Sequence, residues 1–334
     1  MDLPKEFALI IEVVLSFITS MPKAQRILLN YGTYECLFCL LGRHPDVPPN
    51  VRNPRIVLAF EEFCKDSLHA DLDVLLDERN DLDTEVDKVV SYLKIDPRYR
   101  HLVLDAVTQM RRKSCDIRQL NGIASIKVEE SNEFHCKLMY DLWEALDDRE
   151  APASFLVTKS IDKENVDLSS WGDLGFQTPF TDFRMTGLLG LTTMHYVATN
   201  YREQARKALA LSNMMDAWFP YAITSINVTS WLLEDFTNSK LSGFSYNNDQ
   251  TTQDMFNILH AFYFFSFVEY WKHSGVQNIL DFKPVSQRFR VHILKLLDDV
   301  IEEALSSGTA ENDRLSGAVL LQSVQRRIPS EDCF

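Results

Sequence analysis

Residues 171–191 read WGDLGFQTPFTDFRMTGLLGL. Gly175-Phe176-Gln177 interrupts the chain just after Trp171, and Pro179 stiffens the short loop that follows. Thr181 and Asp182 offer side-chain oxygens where helical spacing resumes, which is the composition of an N-cap. This reading places Arg184 in the first turn of the next helix. A cation there faces the positive end of the helix dipole and pays a few tenths of a kcal/mol. Two explanations of Arg184 stand at this point. It pairs with Asp182 or another carboxylate and holds the loop, or it is kept for a function.

On both sides of this segment the apolar residues recur with helical period. C-terminal to it, Gly187–Ala198, Glu203–Leu211, Tyr221–Phe236, Thr252–Lys272 and Val285–Leu305 read as helices. Ala261–Phe267 is apolar almost all round, which predicts a helix at the centre of the core. N-terminal to it, residues 147–170 are polar and loop-like. Phe134–Leu146 carries Leu138, Leu142, Trp143 and Leu146 on one face. Asn121-Gly122 predicts a break. Val89–Leu93 and Arg100–Met110 flank a turn at Asp96-Pro97, and Val57–Leu68 is helical. Before these come helices over residues 3–20 and Ala24–Leu41, then a loop with Gly42, Pro45, Pro48, Pro49 and Pro54. Residues 70–88 are dense in Asp and Glu and read as a solvated helix face rather than an acidic docking patch. With only 11 Gly and 12 Pro in 334 residues, long helices are easier to build than many short strands. The expected fold is all-α, a multi-helix globular body.

The charge balance narrows the function. With 34 Lys and Arg against 48 Asp and Glu, the net charge is −14, and no basic stripe compensates. Nucleic acid is not an expected partner. The six Cys (Cys36, Cys39, Cys64, Cys115, Cys136 and Cys333) are scattered, unlike a secreted disulfide framework, and fit a reducing compartment. Cys36 and Cys39 form a CxxC, but on a helix among Leu37, Phe38, Leu40 and Leu41 they read as core thiols rather than zinc ligands. Met1–Glu6 lacks the basic start of a signal peptide. The apolar run Phe7–Ile18 is interrupted by Glu12 and is too short to span a bilayer, so no integral membrane segment is expected. No GxxxxGK, HExxH, EF-hand loop or GxSxG occurs. His195 reads as a packed or partly exposed histidine. The sequon at Asn227 falls mid-helix in apolar surroundings and does not read as a glycosylation site.

The opening segment resembles the signature of the ELMO domain. Specifically, it resembles that of ELMO-domain-containing proteins that activate GTP hydrolysis by Arf-family and Arf-like small GTPases. Trp171, Gly175, Phe176, Gln177, Pro179, Thr181, Asp182, Phe183, Arg184, Gly187 and Leu191 carry the likeness. Leu142-Trp143 with Leu146, Pro220-Tyr221-Ala222 through Thr229, and Trp271, Phe282, Val285 and Phe289 extend it in order along the chain. Two positions depart from the signature. Thr178 alone separates Gln177 from Pro179 where three residues are usual, and Met185-Thr186 follows the arginine where Gly is usual.

The resemblance implies an N-terminal helical extension over residues 1–94, an ELMO-type domain over 95–305, and a tail over 306–334 whose Ala318–Val324 stretch can dock as a short helix. It implies that Arg184 acts in trans on an Arf-family or Arf-like GTPase. Trp171, Gly175, Phe176, Gln177, Pro179, Thr181, Asp182, Phe183 and Gly187 would support the arginine loop, with Asp182 capping the helix and orienting Arg184. GTP and Mg²⁺ would belong to the partner, and this chain would hold no cofactor or metal of its own. The alternative implied by the wider family is a non-catalytic scaffold or GTPase-binding module that supports a Dock-type exchange factor. Either role places the chain in the cytoplasm, at membranes only through its partner.

Overall fold

A computed structural model describes residues 21–29, 54–69, 71–149, 168–215, 218–246, 248, 250–276, 278–306 and 317–334. The expected helix over residues 3–20, the Cys36–Cys39 pair, the proline-rich loop and most of the polar stretch 147–170 lie outside these residues. Among the described residues there are helices and turns and no strand, so the fold is all-α. The chain divides into two compact units. The first takes its described residues from Met1–Cys115, Ser242–Asn248 and Thr309–Gly317. The second takes them from Asp116–Leu241, Asp249–Gly308 and Ala318–Phe334.

The first unit is built on α1 (Lys23–Leu29), α2 (Pro54–Leu68), α3 (Asp71–Leu76), α4 (Leu82–Tyr92) and the first part of α5 (Arg100–Ser125). Leu28, Val57, Phe60, Val86, Leu102, Val103 and Val107 meet in its core. Asp81 opens α4 by accepting the Thr84 amide at 2.9 Å, so a carboxylate stands at the positive helix end. Glu61 is buried in the same unit. Its carboxylate accepts Lys113 Nζ and the Tyr246 hydroxyl, with Lys65 Nζ at 2.9 Å. Burial pushes the Glu61 carboxyl up, but Lys113, Tyr246 and Lys65 together bring it below its ordinary value.

The break expected at Asn121-Gly122 is absent, because α5 runs through both residues to Ser125. An isolated Gly costs a helix about 1 kcal/mol without ending it. The Asn121 side chain donates to the Ile117 carbonyl at 2.8 Å, one turn back, and so does not compete with the helix.

The second unit is organised by α6 (Glu133–Leu146), α9 (Gly187–Asn200), α10 (Arg202–Ser212), α11 (Tyr221–Thr237), α13 (Thr252–His273) and α14 (Phe282–Ser306). Short helices α7 (Leu168–Asp173) and α8 (Pro179–Asp182) precede α9. Ser242–Ser245 forms the short α12 of the first unit, and α15 (Gly317–Gln325) follows α14. Most of α13 is buried on all sides, as its apolar run predicts, and Ala261, Tyr263, Phe264, Phe265 and Phe267 are each 0% exposed. It packs on α9, α11 and α14. A helix with no polar stripe has no water-facing side, so it can only sit at the centre. Asn227 and Thr229 each hydrogen-bond a carbonyl one turn back, at 2.9 and 3.1 Å. No described helix is long and apolar enough to cross a membrane.

Candidate functional site

The arginine loop is anchored first by a chain of aromatic rings. Trp171 is fully buried, and its ring centroid lies 4.8 Å from that of Trp143 on α6 and 5.6 Å from that of Phe176. Phe176 in turn lies 5.8 Å from Phe183. The first two pairs are edge-to-face, the geometry that aligns a ring's positive edge with its neighbour's negative face. These rings tie α6, the end of α7 and the turn before α9 into one packed line.

A turn closes behind Trp171. Gly175 has φ +81°, and a side chain there would overlap the backbone of Pro220 and Tyr221. Only glycine allows that approach. The Ala222 amide donates to the Leu174 carbonyl at 3.0 Å, so the turn is fastened to the first residues of α11. From the side, Arg149 pairs with Asp147 at 2.6 Å and with Asp173 at 2.9 Å, fixing the last residue of α7.

Asp182 then shapes the loop itself. It is buried, and a single carboxylate oxygen accepts the amides of Gln177 at 2.7 Å and Thr178 at 2.9 Å. Thr181 Oγ1 donates to the Thr178 carbonyl at 3.2 Å. Pro179 takes the first position of α8, where a missing N–H costs nothing. The Gln177, Thr178 and Thr181 side chains are exposed.

Two details differ from the sequence expectation. Arg184 does not lie in the first turn of a long helix but in the 3-10 turn Phe183–Met185, before α9. Asp182 turns back to the Gln177 and Thr178 amides and makes no hydrogen bond or ion pair with Arg184. The reason is Gly187. Its φ is +50°, which resets the chain so that α9 starts afresh there, with Thr186 in front of it. A side chain on Gly187 would overlap the carbonyl oxygens of Ala124 and Ile126, and the Leu188 amide donates to Ile126 O at 2.8 Å. The residues just before and after the end of α5 therefore hold the far side of the loop. Sequence reading gave no role to Ile126 or Arg149, and only the unusual Gly at a helix start could have pointed to such a contact.

Between these anchors Arg184 is exposed. Among the described residues no hydrogen bond, ion pair or ring stack engages its guanidinium. Met185 beside it is 72% exposed, while Phe183 and Thr186 on either side are buried. The loop thus presents one exposed cation on a packed base. A planar guanidinium can give two parallel hydrogen bonds to one anionic group. Among the described residues no group of three or more His, Cys, Asp or Glu is placed to hold a metal ion.

A model of the ELMO/CED-12 family matches residues 118–286, which include every anchor of the loop named above. This chain belongs to the ELMO/CED-12 family. ELMO domain-containing protein B of Dictyostelium discoideum is 34% identical over 125 residues, 37% of this chain and 43% of its own length. ELMO domain-containing protein 2 of Mus musculus is 30% identical over 175 residues, 51% of this chain and 56% of its own. ELMO domain-containing protein 2 of Homo sapiens is 26% identical over 236 residues, 66% and 74% of the two chains. The chain spans about half the length of the first two relatives. No solved structure matches it.

Proposed function

We propose that this ELMO-domain chain activates GTP hydrolysis by an Arf-family or Arf-like small GTPase, supplying Arg184 in trans. The observation that carries the reading is an exposed, unengaged arginine on a loop whose aromatic rings Phe176 and Phe183 are packed and whose buried carboxylate, Asp182, is taken by main-chain amides. A structural arginine of this fold is treated differently, as Arg149 with its two carboxylates illustrates. Charge spreads over the transferred phosphoryl oxygens in the transition state, and a permanently charged guanidinium can meet two of them. Such a finger is worth about a thousand- to a hundred-thousand-fold in rate, roughly 4–7 kcal/mol. GTP and Mg²⁺ belong to the partner in this scheme, and this chain turns over no substrate alone. Gln177, exposed on the same loop, positions the loop or touches the GTPase in this scheme. The chain works in the cytoplasm and meets membranes through that partner.

Single-turnover GTP hydrolysis by purified Arf and Arf-like GTPases tests the reading. Stimulation by this protein that is lost with Arg184→Lys supports it. Stimulation that survives Arg184→Lys overturns it. Saturable binding to one GTPase without stimulation transfers the chain to the alternative role, a binding module that supports a Dock-type exchange factor.

A further inference from the structure

The acidic stretch after α2 takes no part in the arginine loop. It lines a groove of about 710 Å³ in the first unit, between α3 and α4. Leu68, Leu75 and Val89 form an apolar floor. Val74 and Tyr92 stand in the lining with 45% and 63% of their surface exposed, the Tyr92 hydroxyl donating to the Ser67 carbonyl at 3.2 Å. We propose that this groove is a docking site for a basic amphipathic helix of a partner protein.

Charge selects the partner. Residues 71–88 hold eight carboxylates against Arg79 and Lys88, a net −6. Part of that charge is used internally. Arg79 takes Asp77 at 2.6 Å, Lys88 takes Glu85 at 2.7 Å, and Arg100 takes Asp83 and Asp87 at 2.7 and 2.6 Å. Among the described residues no ion pair engages Asp71, on the groove wall, or Asp73 beside it. An acidic rim repels both nucleic acid and the anionic leaflet of a membrane, and attracts Lys and Arg.

Shape selects a helix. Both walls are helices, so the groove has no open strand edge that could accept an extended peptide by backbone pairing. The 11 residues of α4 make a wall about 16 Å long, room for about three turns of a partner helix. Such a helix would lay its apolar stripe on Val74, Val89 and Tyr92 and leave its cations over Asp71 and Asp73.

The test uses the full chain and a fluorescein-labelled Leu/Lys amphipathic helical peptide of about 12 residues, matched to the length of α4. Saturable one-to-one binding by fluorescence anisotropy is expected. Val74→Asp with Tyr92→Ala should weaken it about tenfold, and Asp71→Lys with Asp73→Lys should do the same. All four residues are exposed, so these variants are expected to fold, and circular dichroism checks that they do. Asp141→Lys with Glu144→Lys, on a separate acidic surface of α6, should leave binding unchanged. Equal weakening by that control, unaltered binding to the groove variants, or no binding by the native chain each overturns the proposal. So does preferential binding of the native chain to phosphatidylserine vesicles.

Discussion

Two buried carboxylates of the second unit are settled in opposite ways. Asp235 at the end of α11 is 0% exposed and is neutralised by side chains. Lys240 Nζ lies 2.9 Å away, Arg290 3.5 Å away, and the Tyr263 hydroxyl 3.3 Å away. Asp182 in the arginine loop is nearly as buried, yet it takes only backbone amides, although Arg184 follows two residues later. Where the fold needs a cation for structure it recruits one from another helix, as α14 supplies Arg290. Where Arg184 stands exposed, the nearby carboxylate is satisfied by the main chain. The contrast shows that Arg184 is not left over from an ion pair. The local competitor for it has been occupied.

The largest expected effect removes the cation that has been left free. Arg184→Ala should abolish stimulated hydrolysis, about a thousandfold or more, with unchanged thermal stability, since no described contact is lost. Arg290→Lys is the matched control. It should leave stimulation intact, because that arginine serves Asp235 and Glu234. A denaturant midpoint measured beside each rate distinguishes the two roles.

Asp235→Ala breaks the other side of the comparison. It leaves the buried Tyr263 hydroxyl without its acceptor and Lys240 without its anion, while Arg290 keeps Glu234. The expected loss is about 1–3 kcal/mol in urea unfolding, the scale for stranding a buried hydroxyl, since the cations left behind reach water. An effect below about 1 kcal/mol would place Asp235 with surface pairs and dissolve the contrast.

His260 shows a third way to hold a polar group inside. Burial brings its pKa down to about 4, against which the Ser225 carbonyl at 3.1 Å pulls only weakly. The unfolded chain therefore takes up a proton below about pH 6.5, while the folded chain stays neutral until about pH 4. Stability from this group is complete above 6.5 and falls as the pH drops through that window, by up to about 3 kcal/mol. Because His260→Asn cannot titrate, the stability difference between it and the native protein should shift by that amount from pH 7 to pH 4. A pH-independent difference would show that the histidine titrates in the fold as it does in the unfolded chain.

These contrasts were unevenly visible in the amino-acid sequence. The central place of α13 was legible because Ala261–Phe267 has no polar face, and one segment's periodicity suffices for that inference. The paired cluster Trp171, Phe176 and Phe183 was legible through its residue types. The partners of Gly187 were not, since Ala124 and Ile126 are brought to it only by packing. The role of Asp182 was half legible. A short acidic side chain at a helix start signals capping, but whether it meets an amide or an arginine depends on how the chain turns. That turn is the single helical turn Pro179–Asp182, which brings the carboxylate back over the amides before it and which residue types alone do not announce.

Asp182 also offers the smallest effect and the sharpest test of the comparison. Because one oxygen accepts both amides, Asp182→Asn can keep an acceptor in place with the amide oxygen turned toward Gln177 and Thr178. It loses only the charge assistance, about 1 kcal/mol or less. Asp182→Ala strands both donors and should cost about 1–3 kcal/mol. If Asp182 acts by shaping the loop, stimulation of the GTPase should follow the same order, nearly retained in Asn and reduced in Ala, through KM as well as kcat because the finger's base has loosened. If instead the negative charge itself directed Arg184, Asn and Ala would fail alike. The ranking of these two variants, measured in the same hydrolysis assay, therefore decides whether the arginine is aimed by a carboxylate or by the backbone that the carboxylate holds.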